Sequence, residues 1–263
     1  SGTVPETLWG LTTLRRLDFS SNIHSGTIPP GKVSDAIGMQ QLILDKNLLS
    51  GTLPTSLPML PELRYLSLQD NQLIGSIPRL GPAAPKPSKL EAFKVNGNYL
   101  SASIPTELGS WDPLELLWLS RNPLHGSVPT ELGQLRNLTE LRTVENHLEG
   151  TMPTELGMPT RLVALDISLN SLSGVLPTQV GNLVHLEHLL VEYNFFEGTL
   201  PDLGGVVSSL IELQTACNDL TDPLPASLKA FTDKPGIACD LKCNQFTTVH
   251  TQWASLTQCN ALD

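Results

Sequence analysis

Four cysteines crowd the C-terminal end, at Cys217, Cys239, Cys243 and Cys259, and thiols grouped this way can do two kinds of chemistry. They can oxidise in pairs, and four cysteines allow three pairings. Alternatively the Cys-x-x-x-Cys spacing of Cys239 and Cys243 can hold zinc. Asn137-Leu138-Thr139 is the chain's one N-glycosylation sequon. Beyond these, the residues offer no reaction. Gly31-Lys32-Val33-Ser34 lacks the upstream glycine and spacing of a phosphate loop. His185 and His188 have no third ligand at metal-binding spacing, and Gly-x-Ser-x-Gly does not occur. The acidic residues stand singly rather than as a pair in an apolar cleft. The expectation is a non-enzyme with no cofactor and no catalytic metal.

The elements that must position these residues form a repeat. Gly-x-hydrophobic-Pro steps occur at Gly26–Pro29, Gly51–Pro54, Gly75–Pro78, Gly126–Pro129, Gly150–Pro153, Gly174–Pro177 and Gly198–Pro201, with weaker copies at Ala102–Pro105 and Asp222–Pro225. From Pro129 to Pro225 the beat is 24 residues; one interval is stretched to 27 by an insertion, Arg79 to Pro87. A fixed period in the range of about 20–50 residues marks a solenoid, which offers a broad surface rather than a deep pocket. The insertion's prolines suggest a stiff extended bulge on the outer face. Upstream of each step runs Leu-x-x-Leu-x-Leu-x-x-Asn, clearest at Leu63-Leu66-Leu68-Asn71, Leu114-Leu117-Leu119-Asn122 and Leu186-Leu189-Val191-Asn194. Period-two leucines read as a short strand with one buried face. Ten asparagines, from Asn22 to Asn244, recur where the chain turns inward. A side-chain amide supplies two donors and an acceptor oxygen, so a stacked column satisfies buried backbone groups. In Pro-Thr-Glu-Leu-Gly at 105–109, 129–133 and 153–157, Thr can cap a helical turn and Gly can end it.

The full pattern, Leu-x-x-Leu-x-x-Leu-x-Leu-x-x-Asn-x-Leu-x-Gly-x-Ile-Pro, resembles the plant-type class of leucine-rich repeat. The resemblance covers roughly residues 2–245. It implies an α/β solenoid, a right-handed superhelix of about ten coils with a parallel β-sheet on its concave face, followed by a C-terminal cap at 246–263. It also implies the ectodomain of a receptor-like kinase or receptor-like protein, or a secreted inhibitor of the polygalacturonase-inhibitor type. Such repeats occur in secreted proteins of algae and other microbes too. Family members begin with a cysteine-containing cap, whereas this chain starts in mid-repeat. The expectation is a fragment of a longer protein, with Val4, Leu8 and Leu11 exposed along its first edge.

Cys217 and Cys243 precede Asn218 and Asn244, equivalent positions in consecutive coils, so they should stack about 5 Å apart and suit a disulfide. Cys239 occupies a buried leucine slot and is left for Cys259. The family resemblance favours these disulfides over zinc. With the sequon at Asn137, they point to an extracellular or secretory location, either free or as the ectodomain of a membrane-anchored protein.

Charged residues make up 16% of the chain and the net charge is −10, which opposes nucleic acid and anionic membranes as partners. No apolar run reaches the roughly 18 residues of a membrane span. The outward positions of the concave strands are free of core duty, and they are heterogeneous. The central column includes Asp18, Lys94, Trp118, Arg142, Asp166 and Leu190; flanking columns add Tyr65, Leu116, Glu140, Glu192 and Tyr193. Tyr, Trp and Arg are common anchors of recognition. Lys94 to Tyr193, with Tyr65, is therefore the expected binding face for a protein, peptide or glycan ligand, with a co-receptor or assembly partner implied by the resemblance. Arg142 is expected to pair with Asp166 and lie beside the Trp118 indole. A structural or adhesive role in an extracellular assembly is the remaining alternative. A second regular column, Thr27, Thr52, Ser76, Ser103, Ser127, Thr151 and Thr199, broken by Val175, is ordinary consensus at a lateral site, although a hydroxyl array can also match an ice lattice.

Overall fold

A computed structural model describes residues 2–81, 86–231, 237–247 and 259–260. Each Leu-x-Leu pair forms a three-residue strand, from Arg16–Asp18 through Leu116–Trp118 to Ala238–Asp240. These strands and Cys259–Asn260 make one parallel sheet of eleven, each strand beside that of the next coil. The register is the repeat itself: Trp118 pairs with Lys94 on one side and Arg142 on the other. Leu17, Leu42, Leu66, Leu117, Leu141, Leu165 and Leu213 point inward and are buried, so their neighbours must point out.

The sheet ends at a corner. The residue before each asparagine takes a left-handed φ, such as 54° at Arg121, 54° at Tyr193 and 53° at Cys217. L-residues avoid this region at a cost of roughly 1–2 kcal/mol. The asparagine that follows helps hold the corner. Asn122 is 4% exposed. Its Nδ2 donates to the carbonyls of Leu119 (3.0 Å), Ser120 (3.1 Å) and, one coil back, Val95 (3.1 Å). Its Oδ1 accepts from Leu100 N at 3.0 Å. The same set recurs at Asn71, Asn98, Asn146, Asn170 and Asn194. The ladder is therefore structural. At its first rung Asn22 is exposed, and among the described residues its side chain bonds only within its own coil.

The Gly-x-x-Pro steps form lateral strands in two five-stranded parallel sheets, one from Gly2–Thr3 to Tyr99–Leu100, the other from His125–Gly126 to Asp219–Thr221. At the break Ala102 takes the glycine's left-handed φ, 73°, and a single parallel bridge from Ala102 to Leu124 is all that links the two sheets among the described residues, where Pro123 brings no backbone N–H. Threonine has a packing duty here: a Cβ built on Gly51 would stand 2.8 Å from Thr27 Cγ2.

Short 3₁₀ turns such as Thr106–Ser110, Thr130–Gln134 and Thr154–Gly157 line the outer side. The expected threonine caps are not formed. Proline holds the cap position with no side-chain cap bond, and Thr106 Oγ1 instead reaches Glu107 Oε2 at 3.4 Å. The glycine is required by packing rather than by helix ending. A Cβ on Gly109 would meet Glu131 O of the next coil at 2.2 Å, and one on Gly133 would meet Glu155 O at 2.4 Å.

Two further expectations change. Val4 is buried (6% exposed) and Leu8 partly so, because the buried Trp9 plugs the first coil; Leu11 is exposed, as expected. Cys217 and Cys243 are free thiols, not a disulfide. Both sit at the left-handed corner with φ 53° and 57°, and the two thiols meet side by side in a hydrogen bond. Cys239 is disulfide-bonded, and strand register places Cys259 next to it. The middle of the insertion, residues 82–85, and most of the 246–263 cap lie outside the described residues, while Leu80 and Pro87 on either side of the insertion are buried.

Candidate ligand-binding face

The centre of the concave sheet brings five of the expected side chains together. Lys94 Nζ lies 3.6 Å from the Trp118 ring centroid and 5.2 Å from that of Tyr65. On the other side of the indole, Arg142 Cζ is 4.8 Å from the centroid. A parallel in-register sheet produces this sandwich, because the three central residues stand one strand apart. Glu140, one column over, closes the group: its Oε2 accepts from Trp118 Nε1 at 3.1 Å and from Arg142 Nη2 at 2.9 Å.

The expected Arg142–Asp166 pair is therefore corrected. Glu140 stands two residues away on the same face of the same strand and takes the guanidinium, while Asp166 Oδ1 is engaged locally by Ser168 Oγ (2.7 Å) and N (3.3 Å). Burial pushes the Asp166 carboxyl above its usual range, against the Ser168 bonds that lower it. Beside Trp118 lies a shallow cavity of about 220 Å³ lined by Trp118, Arg142 and Asp166 together with Asn96, Ser120, Arg121, Val144 and Glu145. Sequence reasoning missed the last five. Their signal was present, since they occupy the repeat positions two and three residues beyond the central column. Arg121 reaches back two coils to Asp70 at 2.8 Å, passing over Gly97, which has no side chain to block it.

The remaining candidates are spread along the face. Leu116 and Leu190 are half-buried and outward-facing. Glu192 lies towards the C-terminal end, where Asp166, Glu212 and Asp240 are its acidic neighbours; desolvation first, then these charges, push its carboxyl up to about 7. Tyr193 is not in the strand at all. It stands at the left-handed corner, 54% exposed, with its hydroxyl against the Cys217 thiol. His188, set aside as a metal ligand, pairs with Glu212 at 2.8 Å. The Asn137 amide is engaged on both sides, by Asp112 O (3.0 Å) and Arg161 Nη1 (2.9 Å).

The family model for Leucine Rich Repeat matches residues 62–81 and 113–135. Receptor-like protein 35 of Arabidopsis thaliana is 33% identical over 119 residues, 45% of this chain and 12% of that protein. The chain resembles plant-type leucine-rich-repeat proteins. The HAESA ectodomain of Arabidopsis, solved with an IDA peptide hormone ligand, is 28% identical with a TM-score of 0.71 over 93% of this chain and 44% of that one. Its complex that adds the co-receptor SERK1 gives a TM-score of 0.58 at 28% identity. A plant ice-binding protein is 26% identical with a TM-score of 0.71 over 94% of this chain and 77% of that one. The leucine-rich-repeat chain thus spans about an eighth of the curated relative and under half of the receptor ectodomain. Among its described residues no helix is long and apolar enough to cross a membrane.

Proposed function

We propose that this leucine-rich-repeat chain is a non-catalytic extracellular recognition module of receptor type that binds an extended peptide on its concave face. The observation that carries the reading is Trp118. It faces outward from a strand whose core positions belong to Leu117 and Leu119, yet it is held rigidly by Lys94, Arg142 and Glu140. A large, pre-ordered aromatic ringed by polar groups is the form a binding anchor takes. The likeness to peptide-bound ectodomains supports a peptide over a glycan, and a co-receptor as further partner. Under this reading Cys239–Cys259 locks the C-terminal end, and Asn137 carries a glycan. The test is capture of peptides from native extracellular extract on the immobilised chain. Trp118→Ala should lower the captured ligand's affinity by about thirtyfold or more. Undiminished affinity in a Trp118→Ala, Arg142→Ala double variant would sink the concave site.

A second reading attaches to the first lateral sheet. Its outward positions Ser25, Thr27, Leu48, Ser50, Thr52, Gln72 and Ile74 carry no charge, and the chain is similar to an ice-binding protein. Against it, the threonine methyls already pack on the next coil's glycines, and exposed Ile23, Leu48, Ile74 and Tyr99 interrupt the hydroxyls. An ice-recrystallisation assay with a Thr27→Lys, Thr52→Lys variant as control decides it: inhibition by the parent chain alone favours ice.

A further inference from the structure

The concave strands carry three cations, Arg16, Lys94 and Arg142. Arg16 pairs with Asp18 at 3.0 Å and Arg142 with Glu140 at 2.9 Å. Lys94 differs. Lys94 as a residue is only 8% exposed, yet among the described residues no carboxylate lies within 4 Å of its Nζ, and the rings of Tyr65 and Trp118 attend it. Ring faces attract an ammonium but do not neutralise it. Towards the other end of the same face, Glu192 is the counterpart. Its Oε2 is buried with no hydrogen-bond partner, and the charges around it, Asp166, Glu212 and Asp240, have its own sign. A buried polar group left without a partner is costly, and such groups persist where something else completes the bond.

We propose that Lys94 and Glu192 are the two poles of one dipolar ligand site: Lys94 receives a carboxylate and Glu192 an amine or guanidinium of a single extended peptide lying across the strands between them. The proposal rests on the concave-face reading and adds the ligand's charge order and spacing. The ground between the poles suits a neutral segment. Arg142 and Glu140 neutralise each other, Asp166 is engaged by Ser168, and Leu116 and Leu190 are apolar. From the Lys94 strand to the Leu190 strand, two residues before Glu192, are four strand steps at roughly 4.8 Å each, about 19 Å. A peptide in polyproline geometry advances about 3.1 Å per residue, so its acidic and basic groups should sit about six residues apart.

Stiff molecular rulers test this. The probes are dye-labelled, end-blocked peptides Asp-Asp-(Pro)n-Lys-Lys with about zero, four and eight prolines, where four sets the six-residue separation. Fluorescence anisotropy at low salt should show the four-proline ruler binding about fivefold tighter than either of the others. Lys94→Met and Glu192→Gln should each abolish the preference, and Lys94→Arg should keep it, with circular dichroism melts showing that the variants are folded. Equal affinity for the three rulers, no binding of any, or a preference that survives either neutralising variant would overturn the dipolar site. A native ligand that still depends on Trp118 in that event would leave the concave-face reading standing; loss of both would remove it as well.

Discussion

The Lys94 ammonium sits 3.6 Å from the centre of the Trp118 ring, and the Arg142 guanidinium covers the other side of that ring at 4.8 Å. Both indole faces are therefore occupied before any ligand arrives. What Trp118 offers is a fixed edge and a fixed pair of cations. The contact is also a measurable part of stability. A cation over an aromatic face contributes about 0.5–1 kcal/mol at accessible sites, and more when desolvated. A Lys94→Met, Trp118→Leu double-mutant cycle by chemical denaturation should return a coupling of about 0.5–1 kcal/mol. Strict additivity of the two changes would show that the contact contributes nothing.

The asparagine ladder makes a contrasting prediction within the same strands. Asn122→Ala removes four bonds and orphans buried carbonyls in two coils, so it should cost about 1–3 kcal/mol. Asp18→Asn, at an exposed position, should cost under about 0.5 kcal/mol. Comparable melting shifts for the two would mean that the ladder does not carry the corner.

The solenoid, the strand register and the buried ladder were legible in the sequence because each is a consequence of a period. Once Leu117 and Leu119 point inward, Trp118 must point out and must meet Lys94 and Arg142. The partner of Arg142 was not legible. Repeat register places Asp166 and Glu140 equally well, and only side-chain geometry shows Ser168 holding the first and Trp118 helping to hold the second. The threonine caps failed for a related reason. Local propensity pointed to a cap, but the glycine of the same motif answers to the backbone of the next coil, a contact 22 residues away in sequence. Stacking also brought Cys217 and Cys243 together correctly without fixing their oxidation state.

Those two thiols give a chemical prediction. Burial, then the Cys243 hydrogen bond, push the Cys217 thiol up to about 11, so little thiolate is present at neutral pH. In the folded, unreduced protein a brief alkylation at pH 7 should label Cys243, which is exposed, ahead of Cys217. In a separate sample that has not been alkylated, a low-molecular-weight disulfide such as oxidised glutathione should join the pair by exchange, releasing two equivalents of the small thiol. A non-reduced digest that shows Cys217 or Cys243 linked to Cys239 would refute the arrangement.

Glu192 supplies the pH dependence. Its ordinary value of 4.5 is raised to about 7 in the fold, by desolvation first and then by Asp166, Glu212 and Asp240. Between those two values the native state holds a proton that the unfolded chain has released. Stability therefore falls as pH rises through this window, and the contribution is intact only below it. Glu192→Gln keeps the shape of the protonated side chain and removes the titration. Its melting temperature should exceed that of the parent at pH 7.5, match it near pH 4.5, and vary less in between. Binding should move the opposite way, because a basic ligand group needs the ionised carboxylate. The four-proline ruler should bind the parent chain more tightly at pH 8 than at pH 6, and the Gln variant should show no such gain. Parallel melting curves together with a pH-independent ruler affinity would show that Glu192 is neither strained by its neighbours nor a pole of the site.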